Sequence, residues 1–389
     1  MKPIDFIPVW YYGTYYNVLF LFLCWSTFLY YIGSNGQKIL RSEGSAMQGV
    51  SLLLTVILAV YIGLRPDFYG DMAAYTNSYK NIINDYAPVS YKTEWLWVNI
   101  NYFFKKLGFT VYEFDLMVSI GYYAGMFLFL LLVTPKNLWM GVLFFYISFS
   151  CFSYGTNGIR NGLACSMELI AIGLLTREGR ERYLSLIFMY IAFSIHRSTA
   201  LPSAMALASL FLIKDTKIAV RLWVLSIPLS LAAGPMITNF FASIGFDDRL
   251  TRYSSAGEDE MGQFSQTGFR LDFIFYSIWP VIMAWYVTQK RFFTDKVYSL
   301  IANTYILSNA FWILVIRAAF SNRFAYLSWF IYPIVILYPL VRFNLWKDQD
   351  RKTAIILFLY SGFSFFMFFI YYFGRIDGFR GFNLYWWRN

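Results

Sequence analysis

Apolar residues run through this chain in blocks longer than a soluble helix or strand needs. A membrane-crossing helix takes about 20 of them, within roughly 17–25. Such blocks lie at 14–32, 46–64, 115–133, 138–154, 159–175, 183–196, 199–213, 222–241, 271–288, 297–315, 324–341 and 353–373. The pattern predicts an all-α polytopic membrane protein of about twelve transmembrane helices, one transmembrane domain over 1–389. Two blocks, 183–196 and 199–213, are short and meet at Ser194-Ile195-His196-Arg197-Ser198. A single tilted helix is the alternative there, and the side of every later loop depends on the choice.

Charge decides between them. With a break at His196, alternate loops are 33–45, 134–137, 176–182, 214–221, 289–296 and 342–352, which hold half of the 32 Lys and Arg. Short basic loops stay in the cytoplasm. Without the break, 214–221, 289–296 and 342–352 fall outside, against that bias. The break is therefore expected, with both termini outside. Two longer loops, 65–114 and 242–270, then face out. The first carries an amphipathic aromatic segment, Glu94 to Phe104, suited to lie in the interface. The second is polar and variable in character, with Glu258-Asp259-Glu260 at its centre.

Composition agrees. Only 14% of residues are charged and mean hydropathy is +0.49, where soluble domains carry roughly 25% charge. This excludes a soluble enzyme, a disordered chain and a disulfide-stapled module. The net charge of +10 is explained in part by the basic loops, which removes the argument for nucleic acid as a partner. Cys24, Cys151 and Cys165 all sit in apolar stretches and build neither a disulfide framework nor a CxxC metal site. Met1 to Tyr12 lacks the order of a cleaved signal peptide, so the first apolar block is expected to be retained.

The cytoplasmic charges look topological, but the outer ones do not. Arg65, Arg160, Arg197, Arg249, Arg252, Arg270, Arg317, Arg323, Arg375 and Arg380 all fall on the side that the charge bias should deplete. Snorkelling at helix ends accounts for any one of them. As a group they suit phosphate or diphosphate, which guanidinium forks bind in a bidentate manner. His196 is the only histidine. It either bonds backbone groups freed at the break or acts as a general base. Asp67 and Asp71, in Arg65-Pro66-Asp67-Phe68-Tyr69-Gly70-Asp71, either pair with Arg65 or activate a sugar hydroxyl. Glu168 lies midway along its span and is a candidate because ionisable groups there are costly. No GxxxxGK[ST], GxGxxG or HExxH is present, so nucleotide-driven pumping, dinucleotide chemistry and zinc hydrolysis lack support.

Four segments carry a resemblance. Ile62-Gly63-Leu64-Arg65 with Gly70-Asp71 and Tyr75, then Asn157-Gly158-Ile159-Arg160-Asn161-Gly162-Leu163-Ala164, then Phe193-Ser194-Ile195-His196-Arg197-Ser198-Thr199-Ala200-Leu201, and more loosely Asn322-Arg323-Phe324-Ala325-Tyr326, resemble in order the elements of EpsG-like, Wzy-type polysaccharide polymerases. The resemblance covers about 50–210 and 320–340. Asp71 follows Gly70 directly where the pattern has Gly-Thr-Asp, and 242–270 matches nothing in it.

The resemblance implies a GT-C-like bundle in the bacterial cytoplasmic membrane with its active site on the outer face. It implies metal-independent transfer, without cofactor, of a growing glycan from undecaprenyl diphosphate onto a new lipid-linked repeat unit, building O-antigen, capsule or exopolysaccharide. The partners are then the lipid-linked donor and acceptor oligosaccharides, the bilayer, and in some systems a chain-length regulator. His196 and Asp71 become the catalytic candidates. Arg65, Arg160, Arg197, Arg323, Arg317, Arg249, Arg252 and Tyr75 become contacts of diphosphate or glycan.

Other readings predict other features. A GT-C glycosyltransferase using a polyprenyl-phosphate sugar favours carboxylate catalysis at Asp67 or Asp71, with metal through Glu258-Asp259-Glu260. A lipid-linked oligosaccharide flippase needs charges through both leaflets, whereas only Glu168 sits deep. A membrane O-acetyltransferase could use His196, but no acyl-donor motif accompanies it.

Overall fold

The computed structural model describes residues 6–66, 71–82, 94–243, 269–317 and 321–369, except for the side chains of 10, 241–243 and 321–323. Every regular element among the described residues is helical. They fall into two compact units, residues 1–170 with 340–389, and residues 171–339.

The first unit opens with α1 (Val9–Ile32), α2 (Ser45–Gly63), α3 (Met72–Lys80), α4 (Trp95–Lys106), α5 (Val111–Val133), α6 (Leu138–Tyr146), α7 (Phe149–Thr156) and most of α8 (Ile159–Leu175). The second contains α9 (Glu181–Ile195), α10 (Ala200–Phe211), α11 (Thr216–Ser243), α12 (Leu271–Trp285), α13 (Lys296–Leu314), α14 (Ser321–Trp329) and most of α15 (Tyr332–Arg342). The chain returns to the first with α16 (Gln349–Phe368).

Eight stretches among the described residues are long and apolar enough to cross a membrane: 11–32, 45–63, 111–133, 216–240, 271–290, 296–314, 324–342 and 349–368. The other four expected positions are helical too, but differently built. Residues 138–156 form two helices bent by 69°, and α8, α9 and α10 have 17, 15 and 12 residues. At 1.5 Å per residue, α9 is about 22 Å long, less than a full hydrocarbon core. The fold is thus a helical membrane protein in which a third of the expected crossings are short or broken.

In the first unit α1 lies along α16 and α2 along α5, with α6 against both α1 and α2. The kink between α6 and α7 frees backbone carbonyls where water is scarce, and tyrosines satisfy them. Tyr16 donates to the Tyr146 carbonyl at 2.8 Å, and Tyr360 of α16 to that of Phe144 at 3.0 Å. Irregular backbone at membrane depth requires such partners. At one end, loops 33–45, 134–137 and 342–352 are laced together. The buried Asp350 carboxylate accepts the N–H groups of Lys38 and Ile39 and the Ser34 hydroxyl. Asn137 donates to Ile39 O, and Glu43 accepts from Trp139 N–H at the start of α6. These are three of the loops that charge alone put on one side.

In the second unit α13 is central, packed on α10, α11, α12 and α14. It is buried nearly all round, which is why it lacks an amphipathic stripe. Its polar residues reach across to neighbours. Asn309 accepts from the Trp223 indole of α11 at 2.7 Å and donates to Ser328 of α14 at 2.9 Å. Asn303 donates to the Ile213 and Lys214 carbonyls just past α10. Tyr305 and Trp329 both bond to Ser277 of α12, through its carbonyl and its hydroxyl.

The break at His196 is present. His196 is extended (φ −151°, ψ 114°) between α9 and a single 3-10 turn, Arg197–Thr199. Arg182 at the start of α9 and Phe211 at the end of α10 line the same cleft. The chain therefore runs out along α9 and back along α10, with His196 at the turn. Residues of 176–182, 214–217 and 289–296 all line that cleft, so the remaining three basic loops also share one end of their unit.

Candidate active site

Sequence-predicted site residues occur in both units. In the first, the chain leaves α2 at Leu64, whose N–H still bonds to Val60 O, and Pro66 prevents continuation of the helix. Arg65, between them, is only 2% exposed. Its Nη1 donates to Ile62 O at 2.7 Å, and its Nη2 lies 2.7 Å from Met72 Sδ and 3.8 Å from Asp115 Oδ1. It is an internal strut joining the end of α2, the start of α3 and α5. The acid that pairs with it is Asp115. Asp71 does not, and Asp67 lies outside the described residues. The sign of Asp115 was present in the chain, an acid at the mouth of an apolar block, but sequence distance hid its partner.

Asp71 begins α3. Its N–H donates to Asn157 Oδ1 at 2.8 Å, and its carbonyl accepts from Ala74 and Tyr75. Its carboxylate is not drawn into capping the helix, and the residue is exposed. Asn157 closes α7, and three residues on, in the first turn of α8, stands Arg160. The tie between Asp71 and Asn157 therefore brings the start of α3 to the start of α8. Close approach of α7 and α8 holds that turn. A Cβ on Gly162 would lie 2.7 Å from the Tyr154 carbonyl, so only glycine fits.

Arg160 meets Glu94 at 2.5 Å, the two side chains 25% and 18% exposed. Glu94 heads α4, the expected amphipathic segment, which is helical over Trp95–Lys106. From α4, Trp97 meets Tyr75 edge to face, ring centroids 6.2 Å apart. The start of α8, the loop ending at Asp71, and α4 thus gather an exposed carboxylate, an ion-paired guanidinium, an amide and two aromatic rings. Sequence reasoning quoted Asn157 and Glu94 without giving either a role. Their signals were position only, one beside Arg160 and one at the head of an amphipathic run. Glu168 is fully buried in α8.

In the second unit His196 is 5% exposed. Its N–H bonds to Ala192 O and its carbonyl accepts from both the N–H and the hydroxyl of Thr199. Nδ1 accepts the Ser198 N–H at 3.3 Å and lies 2.7 Å from Ser198 Oγ. A ring nitrogen that accepts a backbone N–H carries no proton, so this network assigns the neutral-ring proton to Nε2. His196 therefore caps the turn, and its Nε2–H is suited to donating a hydrogen bond.

The turn holding Arg197 packs on α14, the helix that contains Arg323. The Arg323 side chain is outside the described residues, as are Arg249, Arg252, Arg375, Arg380 and Glu258 to Glu260. Arg317 is exposed, and its side chain passes 3.6 Å from the position a Cβ on Gly234 would take. Arg270 is engaged with a neighbour. It makes a two-pronged pair with Asp272, at 2.9 and 2.6 Å, and stacks 3.8 Å above the Phe273 ring.

Compared with known proteins, residues 50–385 match the sequence profile of the EpsG family. No curated protein and no solved structure gives a significant match.

Proposed function

Since the chain belongs to the EpsG family, which points to a polysaccharide-polymerase type of function, we propose that it transfers a growing glycan from undecaprenyl diphosphate to a lipid-linked repeat unit on the outer face of a bacterial cytoplasmic membrane. The observation that carries this reading is the extent of the family match, which spans Arg65, Asp71, Arg160, His196 and Arg323 together. The reading keeps twelve crossings with both termini outside.

In the reaction, the bond between the anomeric carbon and the diphosphate oxygen breaks. A bond from that carbon to an acceptor hydroxyl oxygen forms, and the hydroxyl proton passes to a base. The diphosphate is already a good leaving group, so the protein's work is to neutralise charge and place one hydroxyl. Arg160 is suited to the first task. Its planar fork matches two phosphate oxygens, and a diphosphate carries more charge than the Glu94 carboxylate it would displace. Asp71 is suited to the second, with an exposed carboxylate held in place through its backbone rather than its side chain. Tyr75 and Trp97 supply aromatic faces of the kind that sugars stack on. In the second unit, His196, with the ring proton on Nε2, is suited to donating to a phosphate oxygen, and Arg197, Arg317 and Arg323 to drawing in anionic lipid. Arg65 acts by holding the start of α3, next to Asp71, through Met72.

The test is reconstitution. Purified full-length protein in liposomes receives defined undecaprenyl-diphosphate oligosaccharide repeat units as the sole substrate. A ladder of polymers is expected, lost with Arg160→Lys because lysine lacks the fork. Activity only with a polyprenyl-monophosphate sugar, or movement of lipid-linked units between leaflets without polymer, would overturn the reading.

A further inference from the structure

The second unit has a cleft of about 1210 Å³ where loops 176–182, 214–221 and 289–296 meet. It lies at the far end of α9 from His196, about 22 Å along that helix, and so stands apart from the chemistry above. This is the end that the charge bias assigns to the cytoplasm.

Four cations line it, Arg182, Lys214, Lys217 and Lys296, together with the acids Glu178, Asp215 and Asp295. Among the described residues none of the four cations is in an ion pair. Two of the acids are already engaged. Asp215 accepts the Lys217 N–H at 2.8 Å in the first turn of α11. Asp295 accepts the Tyr298 N–H at 2.8 Å in the first turn of α13, and the Tyr338 hydroxyl as well. Both helices start at the cleft, and the positive ends of their dipoles offset those two carboxylates.

A separate observation points to an acceptor-rich ligand. Thr216 is 3% exposed, and its hydroxyl makes no hydrogen bond. The side-chain nitrogen of Gln289, which lines the same cleft, is also buried without an acceptor. Buried donors are nearly always satisfied, so such a pair in one cleft asks what satisfies it.

The apolar part of the wall narrows the choice. Phe211 is 66% exposed and Phe292 is 78% exposed. Phe292 also has φ 55°, a conformation costly for a bulky residue. Strain of this kind without burial in return collects at ligand sites. The volume far exceeds that of inorganic phosphate. A ligand with a charged phosphate and an apolar tail fits both halves. Basic clefts at the cytoplasmic ends of membrane helices recognise anionic lipid headgroups through the same physics.

We propose that this cleft binds the phosphate ester of an anionic phospholipid from the adjacent leaflet. The headgroup lies among Lys214, Lys217 and Thr216, and the acyl chain along Phe211 and Phe292.

The test titrates full-length protein in neutral detergent with short-chain phosphatidylglycerol, short-chain phosphatidylcholine or inorganic phosphate, reading tryptophan fluorescence. Phosphatidylglycerol should bind about tenfold or more tightly than phosphatidylcholine, and more weakly at high salt. Lys214→Gln with Lys217→Gln should cut its affinity by about tenfold or more, and Lys214→Arg with Lys217→Arg should restore it. Thr216→Val should weaken binding at unchanged helix content, and Thr216→Ser should recover it, so the test stands even if the lysine pair proves necessary for folding. Inorganic phosphate competing as well as phosphatidylglycerol would overturn the lipid assignment, because the acyl chain would then contribute nothing. Equal binding of the two lipids, or affinity unchanged in both the lysine and Thr216→Val variants, would overturn the proposal.

Discussion

Arg160 is held by Glu94 at 2.5 Å in a site with partial solvent access, so any diphosphate that takes the guanidinium must first displace a carboxylate. At that separation two unit charges attract by about 1.7 kcal/mol in bulk water. Pairs this exposed are measured at about 0.2–1 kcal/mol, because side-chain entropy and screening oppose the attraction. With both side chains three-quarters buried or more, the upper end applies, about 1 kcal/mol. Glu94→Gln should therefore tighten inorganic pyrophosphate binding about fivefold. Isothermal titration calorimetry on the full-length protein in detergent reads this directly. In an Arg160→Gln background the same change should do nothing, since the competition it relieves is gone. The gain should shrink toward 1 M salt, where the Debye length falls to about 3 Å. Weaker binding in Glu94→Gln would refute the reasoning, because it would mean that the carboxylate orients the guanidinium for its ligand. An equal effect with Arg160 absent would refute it too.

Three further outcomes follow from the geometry. Asn309→Leu leaves the buried Trp223 N–H without its acceptor and should cost about 1–3 kcal/mol, read as a lower unfolding temperature in nanodiscs, with Asn309→Gln costing less if its longer amide still reaches. His196→Asn keeps a side-chain acceptor for the Ser198 N–H but removes Nε2, so the donor role toward a phosphate oxygen predicts an activity loss of about 10²–10³-fold in both His196→Asn and His196→Ala; a normal polymer ladder from His196→Asn at matched membrane levels would reduce the residue to a cap. Burial pushes the Glu43 carboxyl above the ordinary carboxylate range, against the opposing pull of N–H groups from Leu138 to Met140. The folded state then holds that proton more tightly than the unfolded chain, so Glu43's contribution to stability falls as pH rises from the unfolded value through the folded one, a slope that denaturation across that range should show and Glu43→Gln should abolish.

Much of this protein was determined by its sequence alone, because a bilayer imposes rules that act on single segments. Apolar length demands helices, and the cost of carrying lysine and arginine across sets their sides. Hence eight of the twelve expected spans were legible as helices long and apolar enough to cross, as was the break at His196, which follows from charge in loops far from it. The three basic loops that meet at Asp350 in one unit, and the three that meet at the cleft in the other, follow the same bias. The short motifs around Arg65, Arg160 and His196 were legible as a family pattern, and the family match bears that out.

Pairing was decided only by tertiary structure. Arg65 and Arg160 look alike in the sequence, each at the edge of an apolar block, yet one is buried against Asp115 and the other is partly open and held by Glu94. Nothing local distinguishes them, since each partner comes from a different helix whose approach depends on packing. The same holds for Asn303 and Asn309, which read as interruptions in an apolar run and prove to tie α13 to its neighbours. It holds for Gly162, whose missing side chain matters only because Tyr154 O lies where a Cβ would be. It holds for the kink between α6 and α7, which no proline marks and which depends on tyrosine hydroxyls from α1 and α16 to satisfy its carbonyls. Hydrophobic length and charge bias are properties of one segment in its solvent, whereas a hydrogen bond or an ion pair exists only once two segments have been placed.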